Sequence, residues 1–564
     1  MKRPFYKHPL FYVPTGLSAV IGLILLVIFL SAAKYVITGH TPAILRIAKL
    51  IGRINPNRQV EVVVGLKLRN EKQLDQLLEG QVNPASPDFR KFLSTDEFIA
   101  QYSPTDADVE KVTDYLKQQH LTVLDVSKNR VLVRVRGKAR DLEGAFAVQL
   151  NEYEYGNEKG VINDRDPRVP SELKDVVACV IGMNDFAIFR NLTRERADDG
   201  ARSSGLTPGD IATAYGHPNT NNRKFAGKAL SGKGVTVAIA TAYDYDPKDV
   251  EGFWSRNGIT RTGTVTKIPV NGTTRKLNIE TTLDLQQVGA QAPGADILMY
   301  EGSSPSFITF TLVFNQIVLD NKASNCSVSW GMCELTTGQA EMKAEHIIIK
   351  QGAAQGIAFF VAAGDSGAYD CSRGKSSTKA PVFSADYPST DPNVTAVGGT
   401  ALHLNSDGTR KTESAWTGAG GGISVNFDRP TWQKGKGVPA DGSKRNTSDV
   451  ALNADPQTGY SLLYTGKEHV SGGTSFAAPN WAAIWALCEE ACGGTRLGPC
   501  APTMYRLGNS PAAYSMVFND VTEGNNGNGE GPGYPATANW DHPTGWGTPK
   551  VDGLIQWLLH GTPQ

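Results

Sequence analysis

The sequence predicts an α/β protein: one large domain on a doubly wound parallel sheet, preceded by a smaller α+β unit of ferredoxin-like type. Three observations carry this. From Val235 onward, short apolar segments (235–240, 295–300, 327–330, 357–363 and 394–398) alternate with helix-length sequence. Such alternation is the pattern of parallel strands joined by crossover helices lying on both faces of a sheet. Upstream, residues 59–182 read as β-α-α-β-β-α-β, an order compatible with a ferredoxin-like domain carrying extra helices. Between the two, residues 191–205 contain Arg-Glu-Arg-Ala-Asp-Asp-Gly and almost nothing to bury, which predicts an exposed, protease-sensitive linker.

Composition narrows the function classes. The 564 residues carry 56 Lys+Arg and 56 Asp+Glu, a formal net charge of zero, so a phosphate-neutralising nucleic-acid binder is disfavoured and no nucleic-acid partner is expected. Seven cysteines in this length exclude a disulfide-dense scaffold.

In chain order, Lys2, Arg3 and Lys7 precede a run from Pro9 to Ala33 without a charged side chain. Two readings fit residues 1–36: a signal peptide with Ser31-Ala32-Ala33 as its cleavage site, or a membrane anchor through residues 9–33. Either places the body of the protein outside the cytoplasm. Residues 59–67 predict a strand, 70–80 a helix, 105–119 a helix capped by Thr105, 122–126 and 130–135 strands, 139–147 a helix and 176–182 a closing strand. At Leu206-Thr-Pro-Gly-Asp210 a new domain opens, with Thr207 as N-cap and Pro208 at the first helical position.

The sharpest local signal is Ser471-Gly-Gly-Thr-Ser-Phe-Ala-Ala-Pro479 before an apolar helix. Glycines permit a tight turn, and Ser475 at a helix start meets unpaired N–H groups that favour developing negative charge. Pro479 is expected in the first turn, where a missing N–H costs little. The plain alternative is a structural turn with Ser475 as N-cap. A serine nucleophile needs a base. The subtilisin family, which shares Gly-Thr-Ser-x-x-x-Pro, uses a His-Gly-x-His segment, and this chain has none. Glu280 and Asp284, spaced i and i+4 in Asn278-Ile-Glu-Thr-Thr-Leu-Asp, share a helix face; taken alone they read as a solvated acidic face.

The ordered set Glu280-x-x-x-Asp284, Gly364-Asp-Ser-Gly367 and Gly473-Thr-Ser475-x-x-x-Pro479 resembles the sedolisin (serine-carboxyl peptidase) family, of kumamolisin type. Pro87-Asp-Phe-Arg-Lys-Phe and Asp166-Pro-Arg-Val-Pro resemble its activation prodomain, and Ser327-Val-Ser-Trp-Gly331 with Glu334 its substrate-cleft strand. The match spans about residues 59–556 and implies a subtilisin-like fold for the large domain. Four regions follow: targeting segment 1–36, activation prodomain 55–190, cleavable linker 191–205 and peptidase domain 206–561. The resemblance implies Ser475 as nucleophile, Glu280 as general base and later acid, Asp284 as its hydrogen-bonded partner, and a protonated Asp365 as donor to the oxyanion. The family's Glu after the first strand is replaced here by Ala240-Thr-Ala-Tyr, which removes that outer hydrogen bond.

The resemblance also implies one structural Ca²⁺ held by the side chains of Asp520 and Asp541 and the carbonyls of Val521, Thr537 and Asn539. Relatives often have Gly at the last two positions, so Thr537 and Asn539 must follow a glycine's backbone path. Cys179 lies in the prodomain; the six remaining cysteines allow up to three disulfides in 15 connectivities. The expected function is an acid-acting serine-carboxyl endopeptidase made as a zymogen. Its partners are polypeptide substrates and its own prodomain, an intramolecular inhibitor and chaperone. A tripeptidyl-peptidase-like exopeptidase and a non-catalytic peptide-binding relative are the alternatives.

Overall fold

The computed structural model describes residues 34–156, 158–196, 205–218, 224–225, 227–372 and 382–560. The predicted targeting segment up to Ala33 and the linker's 197–204 lie outside them.

The N-terminal unit is built on strands β1 (Gln59–Leu66), β2 (Thr122–Val126), β3 (Leu132–Lys138) and β4 (Val177–Ile181). They form an antiparallel sheet ordered β2-β3-β1-β4, the ferredoxin-like order. Three helices connect β1 to β2: α1 (Glu71–Val82), α2 (Thr95–Tyr102) and α3 (Asp106–Gln118). Of these α2, with a Ser94–Glu97 capping box, was not foreseen. Thr105 caps α3 as expected, in a capping box with Asp108. Helix α4 (Ala139–Phe146) follows β3. Lys34–Val36 pairs with Arg168–Pro170, so the end of the predicted targeting segment belongs to this unit's fold.

The β1 alternation sorts its side chains. Val62 and Val64 join the unit's own core beneath its helices. Val63, with Ala178, Cys179 and Ile181, joins a core shared with the large domain. Burying one face of the sheet against another domain makes the prodomain an integral layer of the precursor.

The large domain starts at α5 (Pro208–Tyr215), with Thr207 capping through Asp210 and Pro208 in the first turn. Its parallel strands are β5 (Thr236–Thr241), β6 (Val265–Val270), β7 (Asp296–Gly302), β8 (Asn325–Val328), β9 (Ala358–Ala362) and β10 (Val394–Leu404). The eight-stranded sheet runs β6-β7-β5-β8-β9-β10, then antiparallel β11 (Arg410–Ala415); β12 (Val450–Asn453) lies parallel to β10. The expected strand 327–330 divides at Ser329: β8 ends at Val328, and Trp330–Cys333 forms a separate strand paired outside the main sheet.

Each strand sends alternate residues to two cores. Val237, Ile239 and Phe360 face helices α6 (Ile279–Gln291) and α9 (Thr474–Ala491). Ala238, Ala240 and Phe359 face α7 (Phe307–Asp320) and α8 (Gln339–Ala354), which also receive the prodomain sheet. The order reverses around β5, so the sheet has its switch point between β5 and β8. Ligands of open α/β sheets bind outside the carboxyl ends of the strands at such a point, and Ser329 and Asp365 follow the ends of β8 and β9.

Candidate active site

Helix α6 is buried from Glu280 to Gln291, so Glu280 and Asp284 are core groups and not a solvated face. Asn278 caps the helix, its side chain accepting from Glu280 N at 2.8 Å. The Glu280 Oε2 accepts a short hydrogen bond from Thr193, and Asp284 Oδ1 accepts from Ser329 Oγ at 2.6 Å. The remaining oxygens, Glu280 Oε1 and Asp284 Oδ2, are buried without a hydrogen-bond partner among the described residues. Two such acceptors, one turn apart in a dry helix face, favour retention of a proton.

Burial is the largest influence holding Glu280 well above the usual carboxylate range; the Asp284 and Asp365 charges act in the same direction, and the Ser475 and Thr193 hydroxyls against it. Burial likewise raises Asp284, opposed by Ser329. The two carboxyls therefore titrate as a unit.

Ser475 is the second residue of α9. Its hydroxyl lies near enough to Glu280 to favour the carboxylate, without a hydrogen bond of full geometry among the described residues. Pro479 sits in the second turn, not the first. Lacking an N–H, it leaves the Ser475 carbonyl, four residues earlier, without its helical donor; Ser329 Oγ approaches that carbonyl at 3.2 Å. Gly473 precedes the helix at φ 117°, a conformation open to glycine.

Asp365 is 3% exposed. Its Oδ1 accepts from Thr474 N and Thr474 Oγ1, both at 2.8 Å, so it caps α9 from another element. Its Oδ2 lies beside Gly473: a β-carbon there would stand 2.6 Å away. The structure thus gathers Ser475, Glu280, Asp284 and Asp365 around one point. Among the described residues, no histidine is a hydrogen-bond partner of Ser475 or Glu280. His217, buried and pushed down to about 3 by burial, stays neutral.

The first residues of the predicted linker are not a free loop: Asn191, Arg194 and Glu195 keep exposed side chains, but their backbone is paired. Arg190–Asn191 pairs with Trp330–Gly331, and Arg194–Glu195 pairs with Ser471–Gly472. Leu192 between them is 1% exposed. The segment crosses the cluster of Ser475, Glu280 and Asp365 as an extended chain hydrogen-bonded on both sides, because two edge strands expose unpaired backbone groups there. Arg194 Nη2 donates to the Asp365 carbonyl at 3.2 Å and to Ser366 Oγ at 3.1 Å. Thr193 and Ser329 had not been singled out from sequence. Ser329 lay inside the Ser-Val-Ser-Trp motif, but only the fold turns it toward Asp284.

The proposed metal residues meet elsewhere, near the C-terminal loop. Asn539 adopts φ 73°, the left-handed path expected of a residue replacing glycine; Thr537 has no positive φ. Thr537 N donates to Asp541 Oδ2 at 2.9 Å, and Asn539 N to Asp520 at 3.1 Å. Burial pushes Asp541 up to about 7, with Asp520 adding to the effect. Two carboxylates crowded in a closed loop fit a hard divalent cation with oxygen ligands. Among the described residues no group of three or more His, Cys, Asp or Glu converges, so carbonyls must complete any such site. Cys333 and Cys371 form a disulfide, while Cys326, Cys488, Cys492 and Cys500 are unpaired among the described residues; one bond stands against the three allowed.

Comparison with known proteins agrees with this geometry. Residues 47–186 match the model of the pro-kumamolisin activation domain, and residues 217–499 that of the subtilase family. The chain is 32% identical to sedolisin from Pseudomonas sp. (strain 101), over 88% of this chain and 86% of that protein. It is 29% identical to kumamolisin from Bacillus sp. (strain MN-32), over 91% and 94%. Among solved structures, Pseudomonas sedolisin, a serine-carboxyl proteinase complexed with pseudo-iodotyrostatin, aligns with TM-score 0.55 and 30% identity. That alignment covers 64% of this chain and 99% of the other.

Proposed function

The chain belongs to the sedolisin family of serine-carboxyl peptidases and carries its activation prodomain, and from that premise we propose an acid-acting endopeptidase made as a zymogen. The observation that supports it is Ser475 at a helix start beside a buried Glu280–Asp284 pair, with Asp365 opposite.

Ser475 Oγ attacks the substrate carbonyl carbon while Glu280 takes its proton. Asp365, protonated on Oδ2, donates to the oxyanion, a role that preorganised donors fill in other acyl-transfer sites. Its Oδ1 is held by Thr474 and Arg194 Nε stands 4.0 Å from its Oδ2, so the orientation of the carboxyl is fixed before substrate arrives. Glu280 returns its proton to the leaving amine, and water, activated by the same carboxylate, releases the acyl group. Asp284, held by Ser329, keeps the pair sharing one proton.

The endopeptidase reading draws on the extended segment in the cleft, which continues past the catalytic cluster in both directions; a site open at both ends accepts internal bonds. Incubating the matured enzyme with a denatured protein at about pH 4 and mapping the products by mass spectrometry tests this. Internal cuts are expected. Tripeptides released one after another from the N-terminus would establish the exopeptidase instead.

Ser329 is a positioning residue. Ser329→Ala is expected to lower kcat about tenfold, the worth of one hydrogen bond to a charged group. Because Ser329 opposes the rise of Asp284, its loss keeps Asp284 neutral to higher pH, withdraws a charge that raises Glu280 and moves the acid limb of kcat to lower pH. Ser329→Thr, which keeps the hydroxyl, restores the profile.

Asp520 and Asp541, with the carbonyls of Val521, Thr537 and Asn539, hold one Ca²⁺ that neutralises the loop. Chelation at neutral pH is expected to lower the melting temperature by a few degrees, each kcal/mol lost being worth about 1–2 °C in a domain larger than 250 residues. An unchanged melt would remove the metal from the account. The basic start, the uncharged run to Ala33 and the Cys333–Cys371 bond support an extracytoplasmic location.

A further inference from the structure

We infer that the Leu192–Thr193 peptide bond of the chain itself is the first bond this site cuts, and that the cleft selects a leucine-sized apolar residue before the scissile bond. The inference rests on the serine peptidase reading above and goes further by naming the bond and the side chain that the cleft selects.

Three contacts fix the register. A β-carbon on Gly473 would stand 2.0 Å from the Leu192 carbonyl oxygen and 2.6 Å from Asp365 Oδ2. The Leu192 carbonyl oxygen and Asp365 Oδ2, the group that would donate to an oxyanion, therefore meet at one point beside Gly473. On the other side of the bond, the Thr193 hydroxyl donates to Glu280. This holds Glu280 near the Thr193 nitrogen, the leaving group it must protonate. The pairings of Arg190–Asn191 with Trp330–Gly331 and of Arg194–Glu195 with Ser471–Gly472 clamp the chain on either side, and of the three bonds between the clamps Leu192–Thr193 is the one with neither residue in these ladders.

The Leu192 side chain is buried. A β-carbon on Gly331 would come within 3.3 Å of its Cδ1, so the missing side chain of Gly331 makes the room that Leu192 fills. A branched apolar group of this size fits there, whereas a carboxylate would be buried beside the Asp386 carboxyl, whose Oδ2 stands 3.1 Å from the same point. The cleavable linker expected over 191–205 is therefore cut near its start, at 192–193.

The step balances without an added reagent. Ser475 Oγ bonds to the Leu192 carbonyl carbon and its proton passes to Glu280. The Leu192–Thr193 C–N bond breaks as the Thr193 nitrogen takes that proton. Water then hydrolyses the ester, leaving a Leu192 carboxylate, a free Thr193 amine and Ser475 restored.

The test starts from the full-length precursor, purified at neutral pH and shifted to about pH 4, with intact mass and N-terminal sequencing at early times. Digestion of a denatured protein is assayed in parallel. The expected first product begins at Thr193, and Leu192→Asp is expected to slow its appearance by at least about tenfold. A synthetic peptide of residues 186–196 covers the case in which that variant folds poorly. The matured enzyme is expected to cut it between Leu and Thr, and to cut its Leu→Asp version at least about tenfold more slowly. A first cut elsewhere, or an intact precursor that digests the denatured protein, overturns the register and leaves the peptidase reading standing. Digestion of nothing at all overturns both.

Discussion

Ser475→Ala leaves the precursor at full length at about pH 4 and lowers peptide hydrolysis by a factor of about 10⁶, the loss seen when a serine peptidase nucleophile is removed. The substitution is small and α9 should tolerate it: Ser475 Oγ has no hydrogen-bond partner of full geometry among the described residues, so its removal leaves no donor unpaired. The neighbouring network stays in place, since Thr474 and not Ser475 binds Asp365. A stable, inert precursor is therefore the expected product, read by gel and by intact mass against the wild type. If Ser475→Ala matures at the wild-type rate in a preparation free of other peptidases, Ser475 is not the nucleophile.

Glu280→Gln lowers kcat by a factor of about 10² to 10⁴, the usual contribution of a positioned general base, and Asp284→Asn changes the pH profile in a direction that can be worked out. Burial and the Asp284 charge both raise Glu280. Removing that charge lowers Glu280, so its base form appears at lower pH and the acid limb moves down. A surface acidic pair would show neither effect, and an unmoved limb with a lowered kcat would reduce Asp284 to a packing role.

The same shifts set stability against pH. A carboxyl raised in the folded chain holds its proton after the unfolded chain has lost it, so the unfolded state binds fewer protons and stability falls as pH rises. The contribution is whole below the unfolded values near 4 and is lost as pH climbs through the folded ones. Glu280 and Asp284 act in this sense, and so do two other buried groups, Glu341 at about 8 and Glu489 at about 7. Melts of Ser475→Ala, which cannot digest itself, should therefore fall from about pH 4 to pH 8. Glu341→Gln should flatten the upper part of that fall.

Much of the fold was legible because its signals are local. Thr105 and Thr207 cap helices through the residue three ahead, a pattern read within four residues. Four of the parallel strands are short apolar runs found within two residues, whereas β10 runs six residues past its expected end and β6 and β12 were not foreseen. Helix α2 was missed although its Ser94–Glu97 capping box is a local signal; α4, of the same eight residues, was read. The strand at 327–330 was misread because one apolar run serves two sheets, broken at Ser329, and nothing in the run marks the break.

The sequence by itself proposed the chemistry of the cluster: which serine and which carboxyls, through an ordered set of motifs that resembles the sedolisin family, and the absence of a His-Gly-x-His base segment. Spacing alone leaves Glu280 and Asp284 a solvated acidic face. Only the tertiary structure decided what those residues experience. Spacing puts Glu280 and Asp284 on one face of a helix; whether water covers that face depends on β5, α9 and Thr193, which come from far along the chain, and their packing leaves it dry. The charge of residues 191–205 predicts a solvated linker, yet the two edge strands beside Ser475 draw its first part into the cleft. Backbone pairing there depends on N–H and C=O groups common to every residue, so no side-chain pattern announces it.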